Sequence, residues 1–311
     1  MPRQPDAAGM HGVLIVAKPA GPTSHDVVAL VRRLASTRRI GHGGTLDPFA
    51  SGVLPLFLGG ATRLVEYHLA DAKRYRATFC FGSTSTTDDL DGELTPSAAP
   101  APTRDDVEAG LAGFLGTQLQ RPPDYSAVQV GGRRAYAMAR AGETVELPPR
   151  QVEIRSLDLL EWDAADPERP IAVVDVACSA GTYIRAIARD LGERLACGAY
   201  LGSLVRTASG PFELDGALTL DALRDAAAAG GPEAIRALLM PPDTGLDAIP
   251  AVGLTAPEIA DALQGRFVRP SGGLREAPEG TPLRLVDPAG AIVGMGRRDG
   301  LRIAPTKMFG Q

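Results

Sequence analysis

The short apolar runs of this chain, separated by turns and helical patterns, constrain its fold more than any other feature. "GVLIVAKP" and "GVLPLFLG" are brief apolar runs that end at Pro or Gly, which indicates two buried strands. "KRYRATFCFG" alternates apolar and polar residues, so it predicts a strand with one buried face. "IAVVDVACSAG" predicts a further strand.

Helical patterns follow these strands at irregular intervals. Thr23 and Asp26 have capping-box spacing, and the apolar residues after them predict a helix from Ser24 to about Leu34. Thr103 and Asp106 predict a second capped helix, and "TYIRAIARDLGERLAC" a third with a buried stripe. This irregular order predicts an α+β fold, in which helices flank a mixed, largely antiparallel sheet.

A change of character near the end divides the chain. Runs such as "PLRLVD" and "LRIAP", separated by Gly and Pro, predict a small β-rich domain. We therefore predict a large domain over residues 1–245 and a small one over residues 246–311. Within the large domain, residues 126–150 predict a basic, hairpin-like excursion.

Composition excludes several classes of protein. The 311 residues are 44% hydrophobic and 22% charged, as in globular proteins, and no apolar run reaches the ~18 residues of a membrane span. The first residues lack the apolar region of a secretory signal, so a cytoplasmic location is expected. The 3 cysteines and 4 histidines form no CxxC or HExxH motif, so we expect no metal site.

Charge gives a mixed indication. A net charge of −5 and a pI of about 5.5 argue against indiscriminate binding to polyanions. Basic residues nevertheless form three local clusters, and any one of them alone is more typical of a solvated face than of a binding surface. Together they favour a nucleic-acid surface. The clusters are Arg32, Arg33, Arg38 and Arg39; Lys73, Arg74 and Arg76; and Arg133, Arg134 and Arg140.

"GHGGTLDPFASG" surrounds one aspartate, Asp47, with small residues. It lacks the Gly-Lys-Ser/Thr of a phosphate-binding loop and the GxGxxG of a dinucleotide fold. A tight turn with a capping aspartate remains an alternative to a functional site. Pro48 biases Asp47 toward an extended backbone, which makes it a poor helix cap. Small neighbours also leave room for a large group to approach the backbone.

An acidic segment, "STSTTDDLDGEL", offers two interpretations. Asp88, Asp89 and Asp91 suggest a Ca²⁺ loop, but the EF-hand ligand pattern is absent. We therefore predict a polar turn rich in Asp.

Several motifs resemble the pseudouridine synthases of the TruB family. "GHGGTLDPFASGVLPLFLG" resembles the family signature, and "GVLIVAKPAGPTS" its Lys-Pro motif. "KRYRATFCFG" resembles its tyrosine segment, and "CSAGTYIRAIARDLGERLACGAYLGSLVRT" its arginine and leucine-arginine segments. The resemblance covers residues 12–211 in order, and the C-terminal segment resembles the RNA-binding PUA domain. It implies a pseudouridine synthase fold followed by a PUA-like domain.

This resemblance implies an isomerisation of uridine that needs one carboxylate and no cofactor. Asp47 would be the catalytic residue, acting at C1′ or C2′ of the ribose or at C6 of the base, and Arg185 its cationic neighbour. Substrate-binding roles are implied for Tyr75, which would stack on an extruded base, and for Tyr183, Leu204 and His42. Lys18 is either structural or an RNA contact.

The expected substrate is uridine 55 in the T arm of tRNA, because stand-alone members of the family act there. The excursion over residues 126–150 resembles the family's mobile thumb. A monomer that needs no protein partner and no membrane is expected. Three alternatives stay open: a non-catalytic tRNA-binding or folding protein, a guide-dependent rRNA pseudouridine synthase, and a nucleotide hydrolase.

Overall fold

The structure is a computed structural model that describes residues 9–126, 128–141, 143, 147–274 and 278–309. Five residues of the predicted excursion, 127, 142 and 144–146, lie outside the described residues. Residues 1–8, on which the expected cytoplasmic location partly depends, also lie outside them.

Short strands and helices alternate along the described chain. The strands are β1 (Gly12–Lys18), β2 (Ile40–His42), β3 (Ser51–Leu58), β4 (Lys73–Phe81), β5 (Ser83–Ser85), β6 (Leu94–Pro96), β7 (Gly116–Gln120), β8 (Gln129–Val130), β9 (Arg133–Arg134), β10 (Arg150–Asp163), β11 (Ile171–Cys178), β12 (Ala199–Ser209), β13 (Phe212–Glu213), β14 (Leu218–Thr219), β15 (Ala251–Gly253), β16 (Pro282–Val286), β17 (Ile292–Asp299) and β18 (Arg302–Met308). The α-helices are α1 (Ser24–Leu34), α2 (Val65–His68), α3 (Arg104–Ala112), α4 (Ala135–Arg140), α5 (Ile184–Arg194), α6 (Leu220–Ala237) and α7 (Ala256–Leu263).

A large mixed sheet forms the centre of the molecule. Within the described chain it has ten strands, in the order β14-β1-β3-β12-β4-β11-β10-β7, with β2 on β3 and β13 on β12. Only β1–β14 and β3–β12 pair in parallel; the other pairings within the sheet are antiparallel. The predicted α+β fold with a mixed, largely antiparallel sheet is therefore confirmed.

Helices cover this sheet in two places. The apolar face of β4 and β11 packs against α3 and α5 in one core cluster. In a second cluster, β1 and β3 pack against α1 and α6. The capping boxes of Thr23 with Asp26 and of Thr103 with Asp106 are both present, so the first two predicted helices are confirmed.

Local patterns missed some elements. "TRLVEYHL", for which no element was predicted above, forms the end of a 3-10 turn over Gly59–Leu64 and the four-residue α2. The fourteen-residue β10 and the eleven-residue β12 were not predicted. Both strands contain irregularities of register, and β12 mixes small, apolar and charged residues, so neither has a clean period.

The predicted small β-rich domain is present as a separate sheet. Strands β15, β16, β17 and β18 pair in that order among the described residues and pack against α7. Lys307 of β18 donates to the carbonyl oxygen of Arg63 at 2.9 Å and pairs with Glu66 of α2, so this sheet rests on the first part of the chain. Over the described chain, no helix is both long and apolar enough to cross a membrane.

Candidate active site

Asp47 lies in the loop that joins β2 to β3, and a buried lysine holds this loop. Lys18, at the end of β1, is 1% exposed. Its Nζ faces the carbonyl oxygens of Pro19 at 3.0 Å, Asp47 at 3.1 Å, Pro48 at 3.2 Å and Ala50 at 2.5 Å. Charge-assisted bonds of this kind are stronger than neutral ones. The ammonium therefore ties both sides of the aspartate to the sheet.

The start of helix α1 holds the same loop from the other side. The backbone N–H of Leu46 donates to Oγ of Ser24 at 2.9 Å, and that hydroxyl donates to the carbonyl oxygen of Leu46 at 3.0 Å. The N–H of Gly21 donates to the carbonyl oxygen of Pro48 at 2.8 Å. These bonds fix the residues on both sides of Asp47.

A second buried cation, Arg206 of β12, supports the glycine-rich part of the loop. Its guanidinium donates to the carbonyl oxygens of Val53 at 2.9 Å, Gly44 at 3.1 Å and Thr45 at 3.4 Å. Gly52 has φ +117, and a Cβ there would lie 2.2 Å from the carbonyl oxygen of Arg206. At this glycine the group that approaches the backbone is strand β12, not a ligand.

Arg185, in the first turn of α5, is the cation beside Asp47. It is 4% exposed, and its Nη2 lies 3.0 Å from Oδ2 of Asp47. Its Nη1 lies 3.0 Å from Oδ2 of Asp89, and the guanidinium also donates to the carbonyl oxygens of Thr87 and Tyr125. One planar group is therefore held by four acceptors, which fixes the orientation of its edge toward Asp47.

The two carboxylates beside Arg185 differ in exposure. The side chain of Asp89 is 6% exposed, whereas that of Asp47 is 38% exposed. Burial raises the pKa of Asp89 above its ordinary value, and hydrogen bonding from Thr87 and the charge of Arg185 oppose the rise. Asp47 is thus the carboxylate that a substrate can reach.

A second arginine of α5 extends this network. Arg189 pairs with Asp88 at 2.9 Å and donates to the carbonyl oxygen of Arg121 at 2.9 Å. Asp88 has φ +62, and the strained backbone lets consecutive aspartates point at two arginines one helical turn apart. The acidic segment is a turn, as predicted, but its function is to hold the first turns of α5.

Tyr75 and Leu204 form the floor next to Asp47. Tyr75 of β4 is 9% exposed and lies opposite Arg206, and Leu204 of β12 lies opposite Ala77. Both belong to the core cluster that includes Leu46, the neighbour of Asp47. Burial raises the pKa of the Tyr75 phenol to about 12, so the hydroxyl stays protonated at neutral pH. The structure thus brings Asp47, Arg185, Tyr75 and Leu204 together.

Tyr183 and His42 lie at the margins of this group. Tyr183 immediately precedes α5. The side-chain oxygen of Gln120 accepts a hydrogen bond from the Tyr183 N–H at 2.8 Å, and the Gln120 side-chain nitrogen donates to the Tyr183 carbonyl oxygen at 3.1 Å. The guanidinium of Arg150 lies 5.8 Å from its ring centroid. His42 is half-buried at the end of β2 and meets His25 edge-on at 6.0 Å. Burial lowers the pKa of His42, which favours the neutral imidazole.

Three of the residues that build the site were not assigned from the sequence. Asp89 was assigned to an ordinary turn, Lys18 was left between two roles, and Arg206 was not singled out. A signal existed for Arg206, because an arginine within a largely apolar strand segment needs a buried partner. Nothing local distinguishes Asp89 from Asp91, since only the position of α5 decides which of them is buried.

No group of three or more His, Cys, Asp and Glu side chains in the described residues is arranged to hold a metal ion. Around Asp47 the described residues supply an accessible carboxylate, an oriented guanidinium and a protonated phenol.

Comparison with known proteins agrees with this arrangement. The N-terminal domain of the TruB family pseudouridylate synthases matches residues 32–184. The C-terminal domain of tRNA pseudouridylate synthase B matches residues 185–247. The matched segments carry Asp47, Tyr75, Arg185 and Leu204.

Individual relatives extend over most of the chain. The tRNA pseudouridine synthase B of Pseudomonas aeruginosa (strain UCBPP-PA14) is 42% identical over 299 residues, 96% of this chain and 95% of the relative. That of Acaryochloris marina (strain MBIC 11017) is 50% identical over 222 residues, 71% of this chain and 76% of the relative. A chain of the crystal structure of a Cbf5-Nop10-Gar1 complex superposes with a TM-score of 0.72 at 27% identity, covering 99% of this chain and 88% of that one.

The family match, the relatives and the shared fold all agree with the motifs that surround Asp47. These relatives are named as pseudouridine synthases, and pseudouridine is an isomer of uridine, so the enzyme class is that of an isomerase. This chain belongs to the TruB family of pseudouridylate synthases.

Proposed function

We propose that this chain converts uridine 55 in the T arm of tRNA to pseudouridine, with Asp47 as its one catalytic residue. One contact supports the proposal most strongly. The partly exposed Asp47 lies against Arg185, which is buried and whose guanidinium has four acceptors around it. That contact supplies an oriented carboxylate beside the ring of Tyr75. Relatives at 42% and 50% identity are named for the modification of tRNA.

The reaction breaks the bond from C1′ of the ribose to N1 of uracil and forms a bond from C1′ to C5. The atoms of the substrate are conserved, so neither an oxidant nor an energy source is consumed. Asp47 acts at the ribose or at C6 of the base, and Arg185 holds its carboxylate in one orientation. The protonated phenol of Tyr75 offers a stacking face to the extruded base, and Leu204 confines it from the side.

Asp47→Ala tests this assignment directly. Unmodified tRNA transcript is incubated with the purified chain, and pseudouridine is mapped by position. We expect conversion at uridine 55 by the unaltered chain and none by Asp47→Ala, with tRNA affinity retained. A variant that still turns over near the unaltered rate would remove Asp47 from the mechanism.

Tyr75→Phe separates stacking from proton transfer. The variant keeps the aromatic face but loses the hydroxyl, so extrusion and cleavage of the glycosidic bond should continue. Rejoining slows only if the hydroxyl also moves the C5 proton. Single-turnover rates with a product assay distinguish the two steps.

The alternative of a non-catalytic tRNA-folding protein predicts equal tRNA refolding by the unaltered chain and Asp47→Ala, with no pseudouridine in either case. The alternative of a guide-dependent rRNA enzyme has a specific basis, because the solved relative is a Cbf5-Nop10-Gar1 complex. Activity of the purified chain alone on tRNA supports the stand-alone monomer. Activity only with an added guide RNA would favour the alternative.

A further inference from the structure

Lys73, the first residue of β4, is a buried cation to which no role has been assigned. It is 6% exposed. Of the buried side chains that the structure describes, its Nζ is one of few without a hydrogen-bond partner from the protein. The other two buried cations of this sheet, Lys18 and Arg206, are each satisfied by three or more carbonyl oxygens.

An unpaired buried ammonium is costly, because burial removes its hydration and nothing replaces it. Among the described residues four buried side-chain atoms lack a partner, one of them Nε of Arg185 beside Asp47, and exceptions of this kind are expected at functional sites. The neighbours of Lys73 do not remove the cost. Its register partners are Cys178 on β11 and Ser209 on β12, and the charged groups that act on it are Arg206, which repels it, and Asp71.

Lys73 lies on the strand that carries Tyr75, two residues before it. Alternate residues of a strand share a face, so Lys73 lies on the face of β4 that carries Tyr75. Along β12 the register runs from the end of the Asp47 loop, to Tyr75 opposite Arg206, to Lys73 opposite Ser209. The charge of Asp47 raises the pKa of Tyr75, and Lys73 lies two residues before Tyr75 on the same strand. Tyr75 is therefore near both the carboxylate and Lys73.

This order matches the shape of a nucleotide. If the ribose lies at Asp47 and the base lies on Tyr75, the edge of the base remote from the ribose points toward Lys73. In uracil that edge carries O4, a hydrogen-bond acceptor. In cytosine the same position carries an amino group, which is a donor, and an ammonium has no acceptor to offer it.

We propose that Lys73 contacts the substrate, donating a hydrogen bond to O4 of the extruded uracil and thereby favouring uridine over cytidine. The inference rests on the proposed function. Under this proposal Lys73 distinguishes the base, whereas the residues described above orient the ribose. The proposed contact needs only the ammonium of Lys73 and O4 of the substrate uracil.

The test compares two T-arm hairpin RNAs, with uridine or cytidine at the target position, in the Asp47→Ala background so that no conversion occurs. We expect the cytidine hairpin to bind about 10- to 100-fold more weakly, the range for a buried donor left unpaired. In Asp47→Ala with Lys73→Met the two dissociation constants should come within about twofold. Asp47→Ala with Arg104→Met removes an exposed cation of α3 and should keep the full ratio.

Conversion of uridine by the unaltered chain is measured first, so a failure of the proposed function is seen separately. A ratio that Lys73→Met leaves unchanged overturns the inference, whatever the variant's turnover.

Thermal melting gives a second, independent test. Removal of an unpaired ammonium should leave the melting temperature unchanged or raise it. A clear fall would show that Lys73 stabilises the fold, and would equally overturn the inference.

Discussion

Arg185 Nη1 lies 3.0 Å from Oδ2 of Asp89, so the arginine that faces Asp47 carries a second carboxylate at its other edge. The buried Asp89 offsets part of the guanidinium charge and fixes its plane, while the more exposed Asp47 remains open to a substrate. Under the proposed function, Asp89 is the carboxylate that positions Arg185 and Asp47 the one that acts on the substrate.

Asp89→Asn should slow the reaction without abolishing tRNA binding. The amide keeps the shape of the side chain but loses the charge that orients Arg185, and a small misplacement of reacting groups costs up to about 10²-fold. We expect a single-turnover rate lower by about 10- to 100-fold. Asp91→Asn is the matched control, because Asp91 lies on the same turn with an exposed side chain. Equal rates for the two variants would refute a positioning role of Asp89.

Arg185→Lys retains a positive charge and loses the planar fork. A lysine cannot reach Asp47, Asp89 and two backbone carbonyl oxygens from one position. We expect most of the turnover to be lost and the free energy of unfolding to fall by about 1–3 kcal/mol from unsatisfied buried acceptors. Full activity in this variant would leave Arg185 as a generic counter-charge.

Lys18→Met decides between the two roles that the sequence left open. The buried lysine holds three carbonyl oxygens of the Asp47 loop in addition to that of Pro19, so its loss should lower the free energy of unfolding by about 1–3 kcal/mol. Turnover should fall with it, and tRNA affinity should stay within about twofold. Weakened binding at unchanged stability would instead identify Lys18 as an RNA contact.

The single-turnover rate should fall as the pH rises through about 8. Burial lowers the pKa of Lys18 to about 8, opposed by Asp47, and burial with the charge of Arg206 lowers that of Lys73 to about 8. Each lysine that must be protonated contributes a decline of about tenfold per pH unit above its pKa.

Stability moves in the opposite direction over that range. In the unfolded chain a lysine has its ordinary pKa of 10.5, so between pH 8 and 10.5 the unfolded chain binds more protons. The contribution of both lysines to the free energy of unfolding therefore rises with pH. Rates and melting temperatures measured at the same pH values separate this titration from unfolding, and a flat rate profile between pH 7 and 9 would contradict it.

Local sequence patterns predicted the elements whose residues obey one clear period. Helix α1 and helix α3 follow from capping boxes and apolar spacing, and β4 follows from its alternation. The motif around Asp47 and the family resemblance named Tyr75, Arg185 and Leu204 as candidates. These signals are encoded within about ten residues, so no knowledge of the packing is needed to detect them.

The sequence by itself therefore determined the α+β class, the family and the identity of the accessible carboxylate. Only the tertiary structure decided how that carboxylate is held. Lys18, Arg206 and Asp89 come from three distant segments, and each is defined by a partner far along the chain. Their roles depend on which charges are buried together, and burial is a property of the packed sheet and helices rather than of any local stretch.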